Sequence, residues 1–150
     1  MAATAAGVFR RTPLERADQR VSWERADRAF FAAGACHVLA WVCRDSWPDR
    51  AIGLAAMVLA GEQHPMHVYA TWDGWAYDAS GWHPEEDLLR VNAAFENRPI
   101  ERVTVTGGLA GYCAAHRHRL PEQFWRDPLP RARAYLSLFA PSWETAGHPR

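Results

Sequence analysis

The stretch Gly34-Ala35-Cys36-His37-Val38-Leu39-Ala40-Trp41-Val42-Cys43 decides the fold. Small residues lead into a run that is apolar over most of a helix's girth, so the pattern is a turn entering a helix that belongs inside the domain. Cys36 then occupies the first helical turn. Downstream stands His67-Val68-Tyr69-Ala70-Thr71-Trp72-Asp73-Gly74-Trp75-Ala76-Tyr77-Asp78. An Asp-Gly pair between aromatic and β-branched residues predicts a primed two-residue turn joining two short strands. Pairing outward from that turn sets residue 72 opposite 75, 71 opposite 76 and 69 opposite 78. His67 becomes a diagonal neighbour of Asp78 on one face of the hairpin. That face is expected to lie against the N-terminus of the Cys36 helix.

Working outward, residues 1 to 11 carry little pattern and are expected to form a flexible tail. Thr12-Pro13-Leu14-Glu15 reads as a capping box with proline in the first helical turn. A second helix is expected to start at Ser22, to place Trp23, Ala26, Phe30 and Ala33 on one face, and to end at Gly34. Ala51 to Leu59 is read as a segment containing a strand. Ser80 or Gly81 breaks the hairpin pattern, and a helix opens at His83-Pro84-Glu85 with acids at its positive dipole end. Ile100 to Thr106 alternates as a strand. Helices are expected from Leu109 to Leu120 and from Arg131 to Phe139, with mostly loop between them. No repeat or interdomain linker interrupts the chain. The expectation is a single α+β domain over residues 12 to 150, with the cysteine-bearing buried helix packed on a small antiparallel sheet.

Charge narrows the function classes. Seventeen basic residues balance seventeen acidic ones, so no global field favours nucleic acid or a membrane surface. The apolar run at 51 to 59 is too short to span a bilayer. Arg10 and Arg11 follow the small apolar N-terminus instead of preceding it, the wrong order for a secretory signal. Three cysteines, at 36, 43 and 113, make no disulfide framework, and a cytoplasmic location fits them.

The chemistry-bearing residues point one way. A cysteine at a helix N-terminus meets unpaired N–H groups that favour thiolate over thiol. A neighbouring His67 can act as the base, and Asp78 can fix its tautomer. His64 is the fallback base and Asp73 the fallback carboxylate. The backbone N–H of Cys36 is the natural first oxyanion donor. No cofactor is expected. His37, His64, His67, His116 and His118 offer metal-ligand types without a paired-cysteine or His-Glu-x-x-His spacing, so no metal site is expected. The run His116-Arg117-His118-Arg119 is locally basic. Its plain reading is a solvent-facing helix end, and its sharper one a contact for phosphate or an acidic substrate.

This order of residues resembles the papain-like and transglutaminase-like superfamily of cysteine enzymes. In that superfamily a cysteine at the start of a buried helix precedes a histidine and an aspartate on neighbouring strands. The resemblance covers residues 34 to 81 and rests on Gly34-Ala35-Cys36, His67-Val68-Tyr69-Ala70 and Gly74-Trp75-Ala76-Tyr77-Asp78. It implies a catalytic triad of Cys36, His67 and Asp78 as nucleophile, base and orienting acid. The implied activity is acyl transfer on an amide-like bond, as in a hydrolase, amidase or deamidase. The partner would be a protein, peptide or small amide substrate. Two other readings remain open at the sequence level. One is a non-catalytic protein-binding domain whose surface is lined by some of the eight tryptophans. The other is a metal-dependent hydrolase.

Overall fold

The computed structural model describes residues 5 to 145. Among the described residues, four α-helices precede the sheet: α1 (Pro13–Ala17), α2 (Gln19–Trp23), α3 (Asp27–Ala32) and α4 (Cys36–Ser46). Strands β1 (Gly53–Leu59), β2 (His67–Trp72), β3 (Trp75–Asp78) and β4 (Gly81–Pro84) follow, then α5 (Glu85–Glu96) and β5 (Ile100–Val105). The chain closes with α6 (Leu109–His116), α7 (Pro128–Leu136) and α8 (Ser142–Thr145). The five strands form one antiparallel sheet in the order β4-β3-β2-β1-β5. This is an α+β fold in which the cysteine-bearing helix packs on a small antiparallel sheet.

Helix α4 is the centre of the larger core. Its first eight residues, Cys36 to Cys43, are all buried. Val38, Leu39 and Val42 pack there with Leu54, Val68, Ala70 and Tyr77 of the sheet and with Ala132 and Leu136 of α7. Each fully buried aliphatic side chain contributes roughly 1.5–3 kcal/mol. The opposite face of the sheet holds a smaller core of Ala55, Met57, Tyr69, Ala76 and Leu88, the last supplied by α5. The sheet is therefore covered on both faces, by α4 and α7 on one and by α5 on the other.

The hairpin has the expected register, with Trp72 opposite Trp75, Thr71 opposite Ala76 and Ala70 opposite Tyr77. Asp73 and Gly74 have φ of 50° and 83°, the left-handed pair that a primed turn needs. The capping box at Thr12 and Glu15 is present. Other boundaries differ from the sequence reading. The helix expected from Ser22 is two helices, because the Asp18 carboxylate accepts from the N–H groups of Arg20 and Val21 and starts α2 early. Arg25 then bridges the break, donating to carbonyls of Ser22, Ala29 and Ala33. Residues 81 to 84, read as a break and a helix start, form strand β4, whose register sets His83 opposite Ala76. Helix α6 stops at His116, since Arg117 turns left-handed at φ 58°. Helix α7 starts at Pro128, where Asp127 caps Leu129.

Residues 5 to 11, read from sequence as part of a tail, have no helix or strand but lie against the body. Arg10 pairs with Glu96 and stacks over Phe95, and the Arg28 guanidinium lies over Phe9.

Replacing Gly74 by alanine forces a β-carbon into the left-handed region and should lower unfolding free energy by about 1–2 kcal/mol. Urea denaturation measures this, and an unchanged midpoint would refute strain at the turn.

Candidate functional site

Strand β2 starts at His67 and strand β3 ends at Asp78, so both residues stand at the same end of the sheet. The two are buried, with 8% and 5% of their surface exposed. His67 Nε2–H donates to Asp78 Oδ2 at 2.9 Å. The other carboxylate oxygen, Oδ1, accepts from His83 Nε2 at 2.9 Å and from the backbone N–H of Ser80 at 2.9 Å. The Asp78 carboxylate, 5% exposed, thus meets three donors. Because Nε2 of His67 is committed to Asp78, Nδ1 is the ring nitrogen left to serve the thiol.

Cys36 is 8% exposed and opens α4 behind Ala35, which contributes no side-chain cap. The chain enters through Gly34 at φ 125°. The thiol lies within interaction range of two imidazoles, His37 and His67. His37 is held from its far side, where Nε2–H donates to the Arg119 carbonyl at 2.8 Å.

Strand alternation refines how the three residues meet. His67 pairs with Met57, and Asp78 lies two residues beyond Ala76, so both belong to the face covered by α5. The body of α4 covers the other face, where Val68 and Ala70 lie, so it is only the N-terminus of α4 that comes to His67. Contact with Cys36 is made past the end of the sheet, which the terminal positions of His67 and Asp78 permit.

Electrostatics follow from burial and pairing. Burial disfavours the Cys36 thiolate, but the His37 and His67 imidazoles outweigh it and hold the thiol well below its ordinary value. Burial likewise opposes the His67 imidazolium, yet Asp78 and Cys36 raise its pKa to about 10. For Asp78, burial would raise the pKa, and the hydrogen bonds from His67 and His83 reverse this and carry it well below the usual carboxylate range. Cys43, with no such partner, is pushed up by burial. The three shifts share one cause: each of Cys36, His67 and Asp78 has its charged form favoured by its neighbour against burial.

A cavity of about 510 Å³ opens onto Cys36, His67 and Asp78. Residues 7 to 11 and 116 to 119 form much of its wall, and Asn92 of α5 lines it.

His83 is the residue that sequence reasoning passed over. It is fully buried, and among the described residues its Nδ1 has no hydrogen-bond partner. The sequence signal was masked by Pro84 and the acids after it, which read as a helix start. The fallback His64 instead pairs with His116, Nδ1 to Nδ1 at 3.2 Å. Among the described residues, no three His, Cys, Asp or Glu side chains are grouped to hold a metal ion. Tryptophans 23, 41, 47, 72, 75, 82 and 143 lie in or against the larger core, and Trp125 is 51% exposed. Among the described residues, no helix is long and apolar enough to cross a membrane.

No family model, curated protein or solved structure matches this chain.

Two outcomes are expected. Alkylation of Cys36 by iodoacetamide should stay within about twofold between about pH 8.5 and about pH 6.5, whereas a thiol of ordinary pKa slows roughly fiftyfold over that range. Peptide mass spectrometry reads the rates, and a fiftyfold fall at Cys36 would show an unperturbed thiol. Replacing Asp78 by alanine leaves two buried histidines facing no carboxylate and should cost about 3–5 kcal/mol at neutral pH in urea unfolding. The depressed carboxylate pKa gives this contribution its sign: it is complete above the unfolded value of about 3.9 and lost as pH falls through the folded value.

Proposed function

We propose that the protein catalyses thiol-dependent acyl transfer on an amide-like bond, as a cysteine hydrolase, amidase or deamidase. The observation that carries this reading is the hydrogen-bonded His67–Asp78 pair beside a cysteine thiol that opens onto a cavity. The order of the residues along the chain and their resemblance to papain-like and transglutaminase-like enzymes support it further.

In the proposed reaction the Cys36 thiolate attacks the substrate carbonyl carbon, and the carbonyl π electrons move onto oxygen. The Cys36 N–H, in a first turn without a side-chain cap, would receive that oxyanion. The tetrahedral intermediate collapses by breaking the C–N bond, and the leaving nitrogen takes the proton from His67. A thioester on Cys36 remains. Neutral His67 then accepts a proton from an incoming water or amine as it attacks the thioester, and the C–S bond breaks to return the thiolate. Asp78 keeps the imidazole in one tautomer throughout, and His83 with Ser80 N–H keeps Asp78 in place. Two imidazoles on one carboxylate hold it more rigidly than one, since each fixes a different oxygen.

An activated ester, p-nitrophenyl acetate, tests the cycle without knowledge of the natural substrate. The expected result is an acetyl adduct confined to the Cys36 peptide, together with turnover. Cys36→Ser should lose the adduct, and His67→Ala should lower turnover by about 10²–10⁴-fold. Acetylation spread equally over Cys36, Cys43 and Cys113, or turnover that survives both substitutions, would sink the proposal.

A further inference from the structure

We infer that the cavity over Cys36 receives a substrate bearing an anionic group, a carboxylate or a phosphate, close to the carbonyl that is attacked. This deepens the thiol-enzyme reading and rests on it.

The lining of the cavity is rich in arginine. Arg11 comes from the N-terminal segment, Arg16 from α1 and Arg119 from the loop after α6, and all three line the cavity with Cys36. Two chain segments far apart in sequence therefore converge on one site with the same charge. Among the described residues, none of the three is in an ion pair. The acid that acts on Arg11 is Glu15, and it is engaged elsewhere: it accepts from the Thr12 N–H at 2.8 Å and faces Arg25 at 3.6 Å. The carboxylate that lines the cavity is Asp78, whose two oxygens are occupied by His67, His83 and Ser80.

Arg11 lies beside the turn that precedes the nucleophile: a β-carbon at Gly34 would meet Arg25 Nη2 at 3.0 Å, Arg11 Cδ at 3.5 Å and Arg11 Nη1 at 3.7 Å. The guanidinium thus rests on the turn that leads into Cys36. Arg119 is tethered on the other side, its carbonyl accepting from His37, the residue after the nucleophile. Burial lowers the Arg11 pKa and repulsion from Arg119 and Arg16 lowers it further, a like-charge cost that Cys36 and Glu15 offset only in part. One thiolate does not offset three guanidiniums when His67 is itself protonated. A planar fork of N–H donors suits a carboxylate or phosphate better than a neutral amide. The anionic group would neutralise the cluster and, since Arg11 lies beside the turn into Cys36 and Arg119 lines the same cavity, would hold the scissile carbonyl at the sulfur.

Paired alkylating reagents test this without the natural substrate. Iodoacetamide and iodoacetate have the same leaving group and differ in charge, so the ratio of their rates at Cys36 reads anion attraction separately from thiolate content. The ratio of iodoacetate to iodoacetamide should exceed that of glutathione by about fivefold at low salt and fall toward it as ionic strength rises. Arg11→Gln with Arg119→Gln should bring the ratio to that of glutathione, and Arg11→Lys with Arg119→Lys, which keeps the charge, should retain most of the excess. Glutarate and inorganic phosphate are the competitors. Protection by the first alone marks a carboxylate site and by the second alone a phosphate site, and protection by neither overturns the inference. Fast iodoacetamide labelling of Cys36 with no iodoacetate excess also overturns it while leaving the thiol reading intact. A Cys36 inert to both reagents at neutral pH defeats the thiol reading, and this inference with it.

Discussion

The buried carboxylate of Asp78 is the constraint on which the arrangement at the sheet's end depends. A carboxylate removed from water must be met by donors or it takes up a proton. Here it is met by three, from two imidazoles and one backbone N–H. Those bonds fix the rotamers of His67 and His83 and hold the turn after β3, where Tyr135 of α7 also donates to the Ala79 carbonyl. One ionised group thereby ties together β2, β3 and β4, and its charge raises the proton affinity of the His67 ring facing the thiol.

Helix α4 supplies the other half of the arrangement. It is buried along its first eight residues because the sheet and α7 cover it, and that burial fixes where its N-terminus ends. The thiol is held by packing along the whole helix, not by a local cap, since Ala35 has no side chain able to serve as one. Precision at Cys36 is therefore a property of the core. Gly34 is needed for a related reason: the left-handed turn there lets the chain leave α3 and enter α4 within a few residues, under the Arg11 side chain.

Much of this was legible in the sequence because the signals were local. The apolar girth of residues 36 to 43 announced a buried helix, and Asp73-Gly74 announced a primed turn whose strand period pairs fixed positions. Those two patterns, with no knowledge of the rest, set His67 diagonal to Asp78. Thr12 and Glu15 marked their helix start through a reciprocal bond spanning three residues. The sequence was less informative where two local signals competed. Pro84 and the acids behind it read as a helix start, although Gly81, Trp82 and His83 were needed as the sheet's fourth strand. Asp18 outcompeted Ser22 as a helix start, and the single helix became two.

What the sequence determined by itself was therefore the α+β class, the cysteine helix, the hairpin and its register, each fixed by contacts between near neighbours in the chain. Tertiary structure alone decided which face of the sheet carries His67 and Asp78, because strand alternation names two faces without saying which helix covers each. It alone placed His83 on Asp78, since that contact exists only once β4 pairs with β3. It also brought Arg11 and Arg119 to one cavity wall. Periodicity within a segment carries no information about a segment more than a hundred residues away, and only the closed core brings them together.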